Sequence, residues 1–246
     1  MNERSKHMKP LQDIRYFEST DGLLSGAMPS YASKVFDLPK EVVALGQRIA
    51  RKCEEIGVSV GRADHLYVCF TPSVQEGALG HTDYAVEPWH RFILCGLECS
   101  FNDRPPAEKL QAVCSATFNA IAALAEAGAE RLGWLREEVI AQGTALRVTL
   151  RKKETKKYRV VVEQTVAVFP SPSQVFARIE DVATSQVSEV QVAEVRFHDD
   201  APGLVDRLAI VDEVLVIHPR KSFRANLVAR DYDLPLRVDL RGRLGG

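Results

Sequence analysis

Residues 80–99, GHTDYAVEPWHRFILCGLEC, gather His81, Asp83, Glu87, His90, Cys95 and Cys99, all of them types that ligate metals or move protons. Their spacing forms neither a CxxC pair nor an HExxH helix, so no compact metal-ligand set is expected. Read as a strand from Trp89 to Phe101, the second half of the stretch puts His90 and Cys95 on opposite faces and Cys95 and Cys99 on the same one. His81 and Asp83 would then have to fold back from a loop to reach His90. Cys99 stands just before a helix start, where the dipole favours a thiolate, and His90, His81 and His65 are the available bases. Cys99, His90, His81 and Asp83 are therefore the catalytic candidates, for a thiol- or metal-dependent hydrolase. The competing reading is of core thiols on a buried strand beside a solvated loop. No G-x-S-x-G elbow, P-loop or G-x-G-x-x-G accompanies them, and no cofactor is expected.

Two segments could bind rather than react. RKKETKKYR, residues 151–159, holds six basic side chains in nine: Arg151, Lys152, Lys153, Lys156, Lys157 and Arg159, with Tyr158 among them. Clustered cations suit phosphate, and an aromatic can stack on a base. A polar run between two strand-like segments is equally what a hairpin tip requires, and lysines guard sheet edges. A phosphate-bearing or acidic partner fits this segment if it binds at all. The last 28 residues, from Pro219, carry seven basic against three acidic side chains and finish in LRGRLGG.

That ending resembles the C-termini of ubiquitin-like modifiers, typically L-R-L-R-G-G. Here Gly242 replaces the middle leucine and Leu244 precedes Gly245-Gly246. The resemblance implies conjugation through Gly246, with Arg241, Arg243 and Gly245 contacting an activating enzyme, and a preceding β-grasp body. Residues 175–240 offer strand-like runs, but only Leu204–Ile210 stands where that body's helix belongs.

The elements that must position these groups follow from periodicity. Val42, Leu45, Ile49, Cys53 and Ile56 recur at helical spacing between Pro39 and Gly57, with Asp37 as a cap. His65–Phe70 reads as a buried strand, and Ser73–Pro88 as a long loop. Asn102 or Asp103 caps a helix opened by Pro105-Pro106 and lined by Leu110, Val113, Thr117, Ile121 and Leu124. A shorter helix through Leu132, Leu135 and Val139 runs to Gly143. Beyond it, strand signals dominate: Thr144–Leu150, Tyr158–Phe169, Val187–Phe197, Val211–Ile217, Phe223–Ala229 and Leu236–Leu240, with Leu204–Ile210 as a helical turn. The expected class is α+β, with helices concentrated in roughly the first 60% of the chain and a largely antiparallel β-rich region after it. The expected divisions are an irregular arm over residues 1–38, an α+β domain over 39–170, and a β-rich region over 171–246, the last two open to merging into one.

Totals narrow the function classes. With 32 basic against 33 acidic residues, overall charge points to neither nucleic acid nor an anionic membrane. Five cysteines among apolar neighbours suggest buried thiols in a reducing compartment, and without a signal segment or apolar span the expected location is cytoplasmic. The leading expectation is an accessory or assembly protein that lacks a catalytic centre and binds another protein, with nucleic acid or a second copy of itself as weaker partners. The hydrolase and the modifier are the alternatives.

Overall fold

The computed structural model describes residues 8–20, 35–83 and 85–241. The fold is α+β, and its contacts divide the chain into a unit of residues 1–143 and a unit of residues 144–246. No helix among the described residues is long and apolar enough to cross a membrane.

The first unit is a four-stranded mixed sheet with helices. Its strands are β1 (Asp13–Glu18), β2 (His65–Thr71), β3 (Leu79–His81) and β4 (His90–Gly96), in the order β1-β2-β4-β3. β1, β2 and β4 run parallel, and β3 lies antiparallel on the β4 edge. β2 and β4 are buried along most of their length, as parallel strands tend to be. α1 (Val42–Ile56) buries Val42, Leu45, Ile49 and Cys53, the expected face, and Gly57 closes it in the left-handed conformation at φ 72°. α2 (Pro106–Leu124) and α3 (Leu132–Gln142) follow. α1 lies so close on β1 that a Cβ at Gly46 would stand 2.7 Å from the Tyr16 ring.

Several expectations for this unit change. Asp13–Glu18, inside the stretch read as an irregular arm, is a parallel strand paired residue for residue with β2. Its alternation was masked by a mix of Asp, Arg and Glu with Ile, Tyr and Phe. β3 occupies three residues of the expected Ser73–Pro88 loop. Strand β4 stops at Gly96, and Cys99–Asp103 forms a 3-10 turn instead of extending it. Neither anticipated side-chain cap forms. The side chain of Asn102 instead ties down the segment before α1: its Oδ1 accepts the Asp37 N–H at 2.7 Å and its Nδ2 donates to the Val35 carbonyl at 3.1 Å. Glu18 Oε2 accepts the N–H groups of Val35 and Phe36, so Phe36 is held edge-on against Phe101 in the core.

The second unit is built from two antiparallel sheets. β5 (Arg147–Glu154), β6 (Tyr158–Thr165), β7 (Ser173–Asp181) and β8 (Val187–Val195) form a meander. β9 (Arg207–Val211), β10 (Val214–His218) and β11 (Leu236–Asp239) form the other sheet, with β10 central. Alternate residues of both, including Val160, Val162, Val175, Ile179, Leu208, Leu215, Ile217 and Val238, make one core. The 151–159 hairpin is present as expected, with β5 and β6 in antiparallel register. Two assignments are corrected. Leu204–Ile210 contains the end of a short helix, α4 (Ala201–Leu204), and then β9. Phe223–Ala229, expected as a strand, holds helix α5 (Phe223–Val228), because Ser222 Oγ caps the Ala225 N–H and Ala225 alone turns fully inward. The strand signal at Val211–Ile217 is split by Asp212 and Glu213, both at positive φ (50° and 62°), as a tight hairpin turn demands.

Candidate functional site

The residues from His81 to Cys99 are distributed over both faces of the first unit's sheet. His90 pairs with His65, whereas His81 pairs with Ile93, three positions along β4, so the two imidazoles project to opposite sides. His81 and Asp83 are exposed. Cys95 is buried opposite Phe70, and burial, with Cys69 nearby, pushes its thiol up to about 12. Cys53 and Cys69 are likewise raised to about 12, chiefly by burial. Four of the five cysteines are buried and Cys99 is exposed, at the start of the 3-10 turn. Among the described residues no three His, Cys, Asp or Glu side chains are grouped so as to hold a metal ion.

His90 instead joins a cluster that sequence reasoning missed. Parallel register sets Asp13, His65 and His90 side by side at the starts of β1, β2 and β4. His65 Nδ1 lies 2.6 Å from Asp64 Oδ1, and its Nε2 lies 3.7 Å from Asp13 Oδ2. Asp13 also accepts hydrogen bonds from Arg15 and Gln47, and Asp64 accepts one from Lys9. The Tyr67 hydroxyl is 3.2 Å from His90 Nε2, and their rings are 4.7 Å apart. Only the pairing of β1 with β2 could have revealed this row, and β1 had no clear signal. Ligands of parallel sheets gather beyond the carboxyl ends of the strands. This row is at the opposite end, and its polar groups are partnered within it or by Lys9, Arg15 and Gln47 except His90 Nδ1, which is buried with no hydrogen-bond partner among the described residues, so it reads as a brace between strands.

The brace predicts a pH effect. Burial, then His65, hold the His90 pKa below its ordinary value; Arg15 adds to this, while Glu87 and Asp64 oppose it. A depressed folded-state pKa contributes stability above the unfolded value of about 6.5 that is lost as pH falls through the folded one. The melting temperature should therefore drop between pH 7.5 and 5.5, and the drop should shrink in His90→Gln. An equal drop in the variant would remove His90 as a cause.

In the second unit, three of the six cations of the basic hairpin are held in ion pairs. Lys157 pairs with Glu213; Arg159 with Glu154 at 3.0 Å and Glu180 at 3.2 Å; Arg151 with Asp206 at 3.1 Å. Glu213 raises the Lys157 pKa, and Glu154 that of Arg159. Lys152, Lys153 and Lys156 complete the hairpin, with Lys152 and Lys156 exposed. In the tail, Arg241 is clasped by Asp239 through contacts of 2.7–3.2 Å. Arg243, Gly245 and Gly246 lie outside the described residues.

Cations do converge elsewhere. Asp206, Arg207, His218, Pro219, Arg220, Lys221 and Asn226 line an open pocket of about 610 Å³. Arg207 and His218 are direct cross-strand partners on β9 and β10, and Arg237 of β11 adds to the positive field around His218. The loop after β10 is tied back by the Arg220 N–H to the Gly203 carbonyl at 2.8 Å, and the Asp206 N–H donates to the His218 carbonyl at 3.0 Å. Asp206, the one carboxylate of the lining among the described residues, already engages Arg151 and lies 3.7 Å from Arg220 Nε. Desolvation, then Arg207, Arg237 and Lys221, lower the His218 pKa, and the three cations make the local field positive. The excess of basic residues after Pro219 was a sequence signal for this region. No protein-family model matches the chain, and neither does any curated protein or solved structure.

Proposed function

We propose that the protein acts by binding, as an accessory or assembly component that recognises an acidic partner protein through the pocket formed by β9, β10 and α5. One observation carries this reading. Among the described residues, Arg207, Arg220 and Lys221, with His218, surround a concavity whose single carboxylate is already paired, whereas three of the six hairpin cations are matched by acids. Fixed, unbalanced charge in a concave site attracts and orients an anionic group. The hydrolase reading draws no support from imidazoles on opposite faces of a sheet.

Fluorescence anisotropy with a labelled oligoglutamate peptide tests the proposal. Binding should weaken as salt is raised and be lost in the double variant Arg220→Gln/Lys221→Gln, while Lys152→Gln/Lys156→Gln should retain it. Loss in the hairpin variant with retention in the pocket variant would overturn the assignment.

A further inference from the structure

We infer that the acidic group received by this pocket is a phosphate monoester carried on an extended segment of the partner protein; the inference rests on the binding role proposed above. The first argument is charge. Arg207, Arg220 and Lys221 supply three fixed cations, and Asp206 is held by Arg151 as well as by Arg220. A lone carboxylate would leave that field undercompensated. A phosphomonoester brings a charge of about −1.5 to −2 and three strong acceptor oxygens, matching the guanidinium, ammonium and imidazole donors, with the Asn226 amide as a neutral one.

The second argument is what flanks the pocket. Among the described residues its lining includes no Phe, Tyr or Trp to sandwich a base, His218 being its only ring. Beside it, α5 exposes Phe223 (81% accessible) and Leu227 (43%), four residues apart and hence on one helical face. Asn226 is three residues from Phe223 on the same turn, so an apolar residue next to a phosphorylated one would find a surface to cover. The third argument is against nucleic acid. A phosphate backbone needs a track of cations, and here three of the six hairpin cations are taken up in ion pairs while the whole chain carries a net charge of −1.

The test uses the full chain and follows the imidazole signals of its six histidines by NMR, with His218 identified by the signal missing in His218→Gln. The groups acting on His218 are Arg207 beside it, Arg237 on β11 and Lys221 in the loop, and Asp206 and Arg220 are the other charged groups of the lining. The probes are inorganic phosphate, a phosphoserine peptide with a neighbouring leucine, its unphosphorylated twin, oligoglutamate and a single-stranded oligothymidylate. Phosphate and the phosphopeptide should both shift the His218 signal and raise its pKa. The phosphopeptide should bind about tenfold or more tightly than its twin, and Arg220→Gln should weaken it by a similar factor, the scale of one charged hydrogen bond. Phe223→Ser should weaken the peptide but leave inorganic phosphate unchanged. Equal affinity for the twin, tighter binding of the oligothymidylate, or a silent His218 during phosphopeptide binding would overturn the inference. If oligoglutamate still binds through Arg220 and Lys221 while the phosphopeptide shows no preference, the phosphate assignment alone falls. If neither binds, the binding role falls with it.

Discussion

Gly96→Ala is expected to destabilise the first unit by about 3 kcal/mol, at the upper end of what overpacking a well-filled site costs. Gly96 ends β4, where the turn between β2 and β3 crosses directly over it. Its N–H donates to the Ala78 carbonyl at 3.0 Å, and its carbonyl accepts the Gly77 N–H at 3.3 Å. An added Cβ would sit on the Gln75 carbonyl oxygen and 2.5 Å from that of Val74. These are backbone atoms bound into the turn, so no side-chain rotation relieves the clash. Gly77→Ala is the control. Nothing lies within 4 Å of a Cβ there, and only its φ of 78° resists substitution, a strain of about 1–2 kcal/mol. Urea unfolding of the two variants should rank them in that order. A Gly96→Ala midpoint equal to that of Gly77→Ala would mean that the turn does not close over β4 as described.

This close crossing shows what was legible in the sequence and what was not. Helix α1 could be read because Val42, Leu45, Ile49 and Cys53 repeat at the period of a surface helix with one buried face. The segregation of helices before Gly143 and strands after it was equally visible, as was the β5–β6 hairpin. β1 was not, because a parallel strand is specified by the neighbour it pairs with and not by a local turn, and Asp13 and Arg15 broke the apolar run. α5 was misread because Phe223, Leu227 and Val228 look β-prone, while the deciding feature is a single capping serine.

Whether the charge of a segment is answered is likewise decided by contacts distant in sequence. Counting cations drew attention to residues 151–159, but charge density in a sequence says nothing about whether acids from other strands answer it. Glu180 and Glu213 come to the hairpin from β7 and from the β9–β10 turn. The pocket arises in the opposite way. Arg207 and His218 are separated in sequence and become neighbours only through antiparallel pairing, and Arg220 joins them because its backbone is tied to Gly203. Arg151 belongs to both stories: an expected binding residue, it neutralises Asp206 and so leaves the pocket's charge unbalanced.

Arg48→Met is expected to stabilise the protein by about 1–4 kcal/mol, the range seen when buried charge is exchanged for an apolar side chain of similar volume. Arg48 lies on the inward face of α1 and is 3% exposed. Its Nε and Nη1 are buried with no hydrogen-bond partner among the described residues. Burial pushes its pKa down, and Cys114 and Tyr16, the neighbours that would favour the charge, are themselves held neutral because burial raises their own pKa values. Among the described residues the guanidinium therefore meets no compensating anion, and its desolvation is an uncompensated cost there. Methionine keeps the helix propensity and most of the volume, and its flexible thioether can follow the space the guanidinium leaves. The measurement is the urea midpoint and slope of Arg48→Met against the parent, with Gln164→Met as a second case, since the Gln164 amide is fully buried and neither polar atom has a hydrogen-bond partner among the described residues. A rise in midpoint at unchanged slope is the expected result. A fall of more than about 1 kcal/mol in Arg48→Met alone would show that the guanidinium holds an acceptor in the folded protein.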